Sequence, residues 1–428
     1  MFERTHIMER VIFHIDVNSA FLSWEAAYRI YHLGGTLDLR TIPSAVGGDV
    51  ELRHGIILAK SGPAKKYKIQ TGEPVVDAKR KCPNLILVPA NYELYEKCSR
   101  AFMKILRQYT DVVEQYSIDE AFLDMTGTQK LFGSPVEVAY RIKDEIRYKL
   151  GFTVNVGIGP SKLLAKMASD FQKQDRVHTL LEDEIEKKMW PLPVSDLFCC
   201  GRASEKKLHT LGIHTIGELA KTDVQILRCH LKKQGEVIWN FANGRDASPV
   251  EPITMPNKGY GNSTTIPYDV SDARTAKAVF LSLAENVGRR LRKDRKRIKT
   301  VSIGIRYYDL SYVSHQSLLV SATNITEEIW RVACKLFDEA WDGTPIRHLG
   351  VHTSRVCDSQ EGRQISLFDA YDYEKQEKLD DAVDEIRLRF GTDSIMRATF
   401  IKQDKIDHVS GGISREKRSV DYTKIEVV

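Results

Sequence analysis

Residues 116–124 read Tyr-Ser-Ile-Asp-Glu-Ala-Phe-Leu-Asp, which places three carboxylates in a short run of otherwise large apolar side chains. Such a run predicts a strand that crosses a hydrophobic interior. Alternation along that strand puts Asp119 on the face of Ala121 and Leu123, and Glu120 on the opposite face. Carboxylates are rarely buried without a compensating partner. The stretch therefore indicates a solvated hairpin turn or, if the pair lies at a tight turn or at the lip of a sheet, a cation site.

A second acidic strand near the N-terminus favours the cation site. Residues 11–18 read Val-Ile-Phe-His-Ile-Asp-Val-Asn, a buried strand with Asp16 near its C-terminal end, and residues 19–31 then have helical spacing. Asp16, Asp119 and Glu120 together give three carboxylates on two strands. That set is sufficient to hold two Mg²⁺ ions for an in-line phosphoryl transfer. Without divalent ions the carboxylates and a triphosphate would repel one another.

Composition indicates an ordinary soluble protein, with 42% hydrophobic and 28% charged residues over 428 positions. This length predicts about three or four domains. The net charge of +5 conceals a strongly basic block at residues 289–299, which has eight Lys or Arg and one acid. Such a block is either a solvated helix face or the binding surface of a protein that contacts a phosphate backbone. Its cations are Arg289, Arg290, Arg292, Lys293, Arg295, Lys296, Arg297 and Lys299.

Cysteine usage and hydropathy indicate a cytoplasmic protein. The seven cysteines include no CxxC pair, so they predict neither a zinc site nor a disulfide framework and fit a reducing compartment. The chain opens without a signal peptide, and no run approaches 18 apolar residues. We therefore expect no membrane partner.

Helices and strands alternate through the first 170 residues. Helices are predicted over 91–109 and 135–150, a strand over 152–158, and a strand–turn–helix over 157–170. A strand at 56–59 leads into the basic segment 60–67, which is either a phosphate-binding helix start or an ordinary surface helix. Gly47-Gly48-Asp49 predicts a turn, because the Glu-Phe of a cyclase signature does not follow it. The order predicts an α+β sheet layered with helices.

Three separated motifs resemble the Y-family translesion DNA polymerases, in particular the bacterial DNA polymerase IV group. They are Asp16 with Phe21 five residues later, Ser-Ile-Asp-Glu-Ala-Phe at 117–122, and Gly-Ile-Gly-Pro-Ser-Lys-Leu-Leu-Ala-Lys at 157–166. The similarity extends in order from about residue 10 to residue 400. It implies an α+β multidomain protein with the right-hand arrangement of palm, fingers, helical thumb and a β-α-β-β-α-β little finger.

The resemblance also implies domain boundaries: palm 1–32 and 90–187, fingers 33–89, thumb 188–250, linker 251–257, little finger 258–357 and a C-terminal extension 358–428. In the thumb, Leu-Gly-Ile-His-Thr-Ile-Gly at 211–217 resembles a helix-hairpin-helix, in which Gly212 and Gly217 contact DNA phosphates. The preceding Cys199-Cys200-Gly201 departs from the usual Gly-x-Gly. The little finger is predicted from strands 258–268, 298–308, 312–321 and 346–355 and helices 272–293 and 325–342.

Roles of individual site residues follow from the same resemblance. Asp16, Asp119, Glu120 and the backbone carbonyl of Val17 match the metal ligands. Phe21 matches the steric gate, a ring that would collide with a ribose 2′-hydroxyl.

Two lysines match residues that contact the nucleotide phosphates, Lys65 and Lys173. The chain has Gly62 where the family often has Tyr, so one phosphate contact is absent. Gln174-Asp175 replaces the usual Pro-Asn or Pro-Asp, which is expected to loosen the turn after Lys173.

A clamp-binding peptide is predicted in the C-terminal extension. Gln364 is followed by Leu367 and Phe368, a pattern that resembles the peptide through which bacterial polymerases fill a groove on the sliding clamp. We expect a helix over 379–390 and a mobile tail over 410–428.

The sequence therefore predicts a monomeric DNA-directed DNA polymerase that takes dNTP and primer–template DNA and performs translesion synthesis. Its low fidelity is a hypothesis, based on finding no second acidic cluster that could form a proofreading nuclease. A weakly active protein that binds DNA and the clamp and acts by recruiting or blocking is the alternative, although three acids in apolar strands argue against it. A cyclase with a similar palm is a more remote alternative.

Overall fold

The structure of the protein is a computed structural model that describes residues 10–48, 55–172, 174–253, 255–359, 363, 372–401, 406–408, 411 and 420–422. Of the predicted functional residues, Lys173, Gln364, Leu367 and Phe368 lie outside the described residues. No helix within the described ranges is both long enough and apolar enough to cross a bilayer. All seven cysteines are described, and all are free thiols.

The strands and helices follow one another in an irregular order. Up to residue 132 they are β1 (Ile12–Val17), α1 (Ala20–Leu33), β2 (Ser44–Gly47), β3 (Ile57–Lys60), α2 (Gly62–Lys65), α3 (Val75–Lys81), β4 (Ile86–Val88), α4 (Tyr92–Leu106), β5 (Val113–Gln115), β6 (Glu120–Asp124) and α5 (Gln129–Phe132). From 135 to 242 they are α6 (Pro135–Leu150), β7 (Val154–Gly159), α7 (Lys162–Asp170), β8 (Val177–Thr179), α8 (Arg202–Thr210), α9 (Ile216–Lys221), α10 (Val224–Leu231) and α11 (Lys233–Ala242). The remainder are β9 (Gly261–Val270), α12 (Ala273–Lys293), β10 (Lys296–Tyr307), β11 (Tyr312–Thr323), α13 (Thr326–Ala340), β12 (Ile346–Asp358) and α14 (Tyr373–Phe390).

A five-stranded sheet in the order β5-β6-β1-β7-β8 carries the candidate site. Strand β1 is antiparallel to both of its neighbours, β6 and β7. Because side chains alternate along a strand, Phe13, Ile15 and Val17 point into the core formed with α1, α4 and α6. Ile12 packs on the opposite face, in a cluster with Phe122 and with Ala165 of α7. Asp16, two residues from His14 and four from Ile12, belongs to this α7 face.

A smaller sheet in the order β3-β2-β4 lies between α1 and α4 in the sequence. It forms a core of its own with α2 and α3, in which Ala45, Ile57, Ala64 and Val75 are buried. Strand β3 ends at Lys60, and α2 begins two residues later. This connection brings the predicted phosphate-binding segment to the edge of the candidate site.

Short helices α8 to α11, in the region predicted as a helical thumb, form a core with α7 and with the segment 180–197. Helix α9 begins with a capping box, because the Thr215 hydroxyl accepts from the Glu218 amide while the Glu218 carboxylate accepts from the Thr215 amide. Gly212 alone takes a positive φ, of 76°, between α8 and α9.

The last domain has the predicted β-α-β-β-α-β order, in a four-stranded antiparallel sheet β11-β10-β12-β9. Helices α12 and α13 supply its core through residues such as Phe280 and Phe337. The bounds of the six elements differ from the prediction by a few residues at most.

The C-terminal extension folds back on α12. Helix α14 begins at Tyr373, six residues before the predicted start, because Asp372 caps it by accepting from the Lys375 amide. The side chains of Arg292 and Asp380 are each 7% exposed and pair at 3.1 Å. Glu285 and Arg387, each 5% exposed, pair at 2.7 Å. Buried pairs of this kind make the extension part of the last domain.

Candidate active site

Asp16 and Glu120 are direct cross-strand partners in the register of β1 and β6. Cross-strand partners in an antiparallel pair lie close together on the same face. Asp16 is 6% exposed and stands next to last in β1, while Glu120 is half-buried and opens β6. The two carboxylates therefore converge at one end of the sheet, on the face covered by α7.

Asp119 lies in the turn between β5 and β6 and not in a strand. The predicted strand from Tyr116 is wrong over its first four residues, because the Ser117 hydroxyl accepts from the Asp119 amide at 3.3 Å and donates to its carboxylate at 2.6 Å. These bonds satisfy the amide and carboxylate of Asp119 locally, so residues 116–119 do not join the hydrogen-bond ladder between β5 and β6. The Val17 amide donates to the Asp119 carbonyl at 3.0 Å, which fixes the turn beside the end of β1. Asp119 thus reaches the site from the lip of the sheet.

Helix α7 approaches the sheet very closely, and glycines in β7 permit this. A Cβ at Gly157 would lie 2.0 Å from the Ala165 carbonyl oxygen, and one at Gly159 would lie 2.9 Å from the Ala165 amide nitrogen. Because α7 lies so close to the sheet, the Lys166 ammonium reaches Glu120 Oε1, 2.6 Å away. Burial lowers the pKa of Lys166, but the carboxylates of Asp170, Glu120 and Asp16 outweigh it, and the net pKa lies above its usual value. Lys166 is therefore a buried, charged partner of the acidic site.

The three carboxylates open onto one cavity of about 380 Å³. Its walls come from the β1–α1 junction, the end of β3, α2 and the β5–β6 turn. The cavity is lined by Asp16, Val17, Asn18, Ser19, Ala20, Phe21, Leu58, Ala59, Lys60, Lys65, Thr71, Asp119 and Glu120. Carboxylates, lysines and an aromatic ring thus face a single space, as the sequence predicts for Asp16, Phe21 and Lys65.

Phe21 forms part of the wall of this cavity, in the first turn of α1. Its ring stacks on Tyr95 of α4 with centroids 4.7 Å apart and planes at 16°. Trp24 and Tyr92 pack against the same pair of rings at 5.9 and 6.0 Å from Phe21. The position of the Phe21 ring is therefore set by packing between α1 and α4.

Two lysines, Lys60 and Lys65, line the same cavity as the carboxylates. Lys65 is the last residue of α2 and is exposed, while Lys60 is the last residue of β3. Burial lowers the pKa of Lys60, and the charge of Lys65 lowers it further. The Ser61 hydroxyl caps α2 by accepting from the Ala64 amide at 3.1 Å. Lys60 was not singled out from the sequence, although its place in the basic segment 60–67 was a usable signal.

Gly62 stands beside the turn that follows Lys173. A Cβ at Gly62 would lie 3.1 Å from the amide nitrogen of the Gln174 side chain, so Gln174 occupies space next to this glycine. Gln174 and Asp175 have positive φ values of 103° and 62°, which are strained for residues other than glycine. The strain needs compensation from the surrounding contacts.

Dedicated contacts hold this strained turn. The buried Asn155 side chain accepts from the amides of Gln174 and Arg176 at 3.3 and 3.2 Å. The Asp175 carboxylate pairs with Lys143 at 3.0 Å and with Arg147 at 3.1 Å. These bonds take over the role that a proline has in a rigid turn, and they are a physical reason against the loosening expected from the sequence.

The donor set fits a hard divalent cation. Carboxylate and carbonyl oxygens are the ligands that Mg²⁺ prefers, and Asp16, Asp119, Glu120 and the Val17 backbone all line the cavity. No three His, Cys, Asp or Glu among the described residues stand together as a preformed metal site. The reason is visible in two contacts, since Glu120 is turned to Lys166 and Asp119 to Ser117.

In the helical hairpin formed by α8 and α9, the backbone amides of both predicted glycines donate hydrogen bonds within the protein. Gly217 donates its amide to the Trp190 carbonyl at 3.0 Å, and Gly212 donates to His209 at 3.0 Å. A Cβ at Gly217 would lie 2.9 Å from Trp190 Cβ, so this glycine is required for packing. The start of α8 differs, because Gly201, Arg202 and Ala203 are exposed there.

The basic block divides into exposed and occupied cations. Arg292 pairs with Asp384 at 2.7 Å as well as with Asp380, so it faces the extension and not solvent. Two others also pair with carboxylates, Arg297 with Glu377 and Lys296 with Asp358, whereas Arg290 is exposed and lies over the Tyr260 ring. Lys293, Arg295 and Arg290 are exposed, whereas Arg289 and Lys299 are half-buried.

Comparison with known proteins covers almost the whole chain. Residues 15–170 match the model of the impB/mucB/samB family, and residues 257–367 match the model of that family's C-terminal domain. The chain is 44% identical over 398 residues to a DNA polymerase IV of Clostridium acetobutylicum, which covers 93% of this chain and 100% of the relative. It is 37% identical to DNA polymerase IV 2 of Bacillus subtilis, covering 91% and 94% of the two chains.

A solved structure shares the fold. A Y-family DNA polymerase chimera superposes with a TM-score of 0.70 at 22% sequence identity, over 81% of this chain and 99% of that one.

Proposed function

This chain belongs to the impB/mucB/samB family, in its DNA polymerase IV group, and from that membership we propose how its residues perform the reaction. The protein is a DNA-directed DNA polymerase of the Y-family fold, and its activity is translesion synthesis. In that reaction the primer 3′-hydroxyl attacks the α-phosphate of a dNTP and pyrophosphate leaves. Supporting the site assignment, the paired carboxylates Asp16 and Glu120 face the same cavity as Phe21 and Lys65.

In our proposal Asp16, Asp119, Glu120 and the Val17 carbonyl hold two Mg²⁺ ions. When bound, these ions supply charge stabilisation for the attacking and leaving oxygens. The chain itself holds the carboxylates close together through the β1–β6 register and the Ser117 turn. Lys166 neutralises part of their mutual repulsion.

The nucleotide phosphates bind on the lysine side of the cavity. Lys65 and Lys60 provide positive charge there, and the predicted contact from Lys173 would come from the adjacent turn. Gln174 lies beside Gly62, so its amide is placed to replace the contact that a Tyr makes in many relatives. Phe21 lines the same cavity, and in the proposal a 2′-hydroxyl would meet its ring.

DNA binding is assigned to two surfaces. The exposed cations Arg290, Lys293 and Arg295 contact phosphates through the last domain, giving affinity that depends on salt and not on sequence. Of the predicted cations, Arg292 is assigned to the extension instead. In the thumb, the exposed residues around Gly201 at the start of α8 are better placed for phosphate than Gly217.

Besides DNA and nucleotide, the proposed partner of this chain is the sliding clamp. The peptide with Gln364, Leu367 and Phe368 binds the sliding clamp, and the polymerase acts as a monomer in the cytoplasm. The peptide is proposed on its sequence pattern; the residue before it, Arg363, pairs with Glu328 and lies 3.4 Å from the Tyr373 ring centroid. Both flanks are thus attached to the last domain.

The proposed domains correspond to the three sheets and the group of short helices, with α7 packing both on the palm sheet and in the core of α8 to α11. The five-stranded sheet forms the palm, the β3-β2-β4 sheet the fingers, α8 to α11 the thumb, and the four-stranded sheet the little finger. We place the linker at 251–257.

The test is single-nucleotide extension of a primed template with Mg²⁺, on undamaged and abasic templates. Wild type should extend both, and Asp119→Ala should extend neither while still binding primer–template. Asp111→Ala is the matched control, because Asp111 is an exposed carboxylate eight residues upstream. Extension by Asp119→Ala would refute the metal assignment. DNA binding without extension by wild type would favour the recruiting or blocking role.

A further inference from the structure

Tyr422, close to the C-terminus, contacts the palm. Its hydroxyl donates to Glu25 Oε2 at 2.9 Å, across 397 positions in the sequence, and accepts from the Asn91 side-chain amide at 3.0 Å. Its ring packs on Tyr28, with centroids 5.3 Å apart, and the Arg29 guanidinium lies 5.8 Å from the ring centroid. Most of the predicted mobile tail, 410–428, lies outside the described residues, but Tyr422 within it is in contact with the palm.

The two hydrogen-bond partners of Tyr422 belong to different helices. Glu25 lies in α1, and Asn91 is the N-cap of α4, where its side-chain oxygen accepts from the Leu94 amide at 3.1 Å. One end of the Asn91 amide thus caps α4 while the other donates to Tyr422. The Tyr422 hydroxyl therefore joins α1 to α4.

The same two helices position the proposed steric gate. Phe21 precedes Glu25 by four residues in α1, and Tyr95 follows Asn91 by four, so each pair lies on one side of its helix. Phe21 stacks on Tyr95 across the helix–helix contact. The Tyr422 bridge and the ring stack are consequently one helical turn apart on a common interface.

The bridge also completes a buried ionic cluster. The Glu25 side chain is 0% exposed and pairs at 2.8 Å with Arg29, whose side chain is 3% exposed. Burial raises the pKa of Glu25, while the hydrogen bonds from Arg29 and Tyr422 act in the opposite direction. A buried carboxylate requires such partners. Burial also raises the pKa of Tyr422, which keeps its hydroxyl a neutral donor.

We propose that Tyr422 is a positioning residue for sugar discrimination: by joining α1 to α4 it fixes the Phe21 ring against Tyr95. This inference rests on the gate role proposed for Phe21. It gives the end of the chain a part in the selection of deoxyribonucleotides over ribonucleotides.

The experiment compares Tyr422→Phe, Tyr422→Ala and Phe21→Ala in the full chain. The readout is the ratio of kcat/KM for a ribonucleotide to that for the matching deoxyribonucleotide. Tyr422→Phe removes the hydroxyl and with it both hydrogen bonds, and it should raise the ratio by at least the roughly two- to tenfold that corresponds to one net hydrogen bond. Tyr422→Ala should raise it further, and Phe21→Ala most. Tyr148→Phe is the matched control, because Tyr148 is 88% exposed, and it should leave the ratio unchanged.

Hydrogen exchange of the α1 and α4 amides, measured without nucleotide, gives a second readout. Faster exchange in Tyr422→Phe together with a raised ratio supports the inference. If Phe21→Ala relaxes sugar selection and the Tyr422 variants do not, the inference fails while the gate stands. If Phe21→Ala leaves the ratio unchanged, the gate role fails and the inference fails with it. A lower Tm with an unchanged ratio overturns the inference too, since Tyr422 would then only stabilise the fold.

Discussion

The Lys166 ammonium lies 2.6 Å from Glu120 Oε1, and the side chains of both residues are largely buried, 12% and 19% exposed. The two residues come from elements 46 positions apart in the sequence, and Gly157 and Gly159 permit the approach. The pair keeps the acidic end of the sheet compensated. It also means that a divalent ion must compete with Lys166 for Glu120.

Lys166→Met tests this competition. Removing one positive charge near the carboxylates should tighten Mn²⁺ binding by about tenfold, because charges a few ångströms apart near a protein surface interact by more than about 1 kcal/mol. Isothermal titration of Mn²⁺ without nucleotide measures this effect apart from catalysis. Lys97→Met, on the exposed surface of α4, is the control. Unchanged or weaker metal binding would contradict the prediction.

Gly157→Ala should disrupt the packing of α7 on the sheet. The new Cβ would meet the Ala165 carbonyl oxygen at 2.0 Å, and backbone on both sides leaves no flexible side chain to yield. We expect a loss of about 1–3 kcal/mol in the free energy of unfolding, as for other overpacked cores. Urea unfolding measures it. Gly201→Ala is the control, because nothing lies within 4 Å of its added Cβ.

Arg292→Ala and Lys293→Ala should separate stability from DNA binding. Arg292→Ala removes the nearer cation from the buried Asp380, which keeps only Arg397 at 3.5 Å, and should cost about 3 kcal/mol of stability. Lys293→Ala should leave stability nearly unchanged and lower the slope of log affinity against log salt by about 1. Denaturant unfolding and DNA titrations at several salt concentrations check both. A large DNA-binding loss in a fully stable Arg292→Ala protein would restore Arg292 to the phosphate-contacting set.

His178 predicts a pH dependence of stability. Burial lowers the pKa of His178 below the usual value of 6.5, despite a backbone hydrogen bond with Gln172 that raises it. As pH falls through 6.5 the unfolded chain takes up this proton before the folded chain does, so its contribution to stability is present at higher pH and is lost on acidification. Melting temperatures at several pH values should show a smaller acid loss in His178→Gln. An identical loss in both proteins would exclude His178 as a contributor.

Local patterns were sufficient to predict much of the architecture. Alternating apolar residues around Asp16 and beyond Glu120 predict the central strands, because each side chain's face depends only on its neighbours along the strand. The β-α-β-β-α-β order was predictable for the same reason. The residue at which β6 begins could not be predicted in this way. The strand starts only at Glu120, because the hydroxyl of Ser117 competes locally for the amide of Asp119.

Contacts between distant elements could not be predicted in this way. Nothing local to Arg292 indicates that Asp380 and Asp384 will face it. The same holds for Tyr422, because its partners are set by the packing of two helices at the other end of the chain.

The buried ion pairs between α12 and α14 define what can be exchanged between relatives. A little finger transplanted without its extension would carry Arg292 and Glu285 into a new host with their partners missing. Grafts intended to swap lesion tolerance or processivity should therefore begin in the linker and end beyond Arg397, whose guanidinium also pairs with Glu285. The natural unit of modular exchange in this polymerase is larger than its four-stranded sheet and two helices.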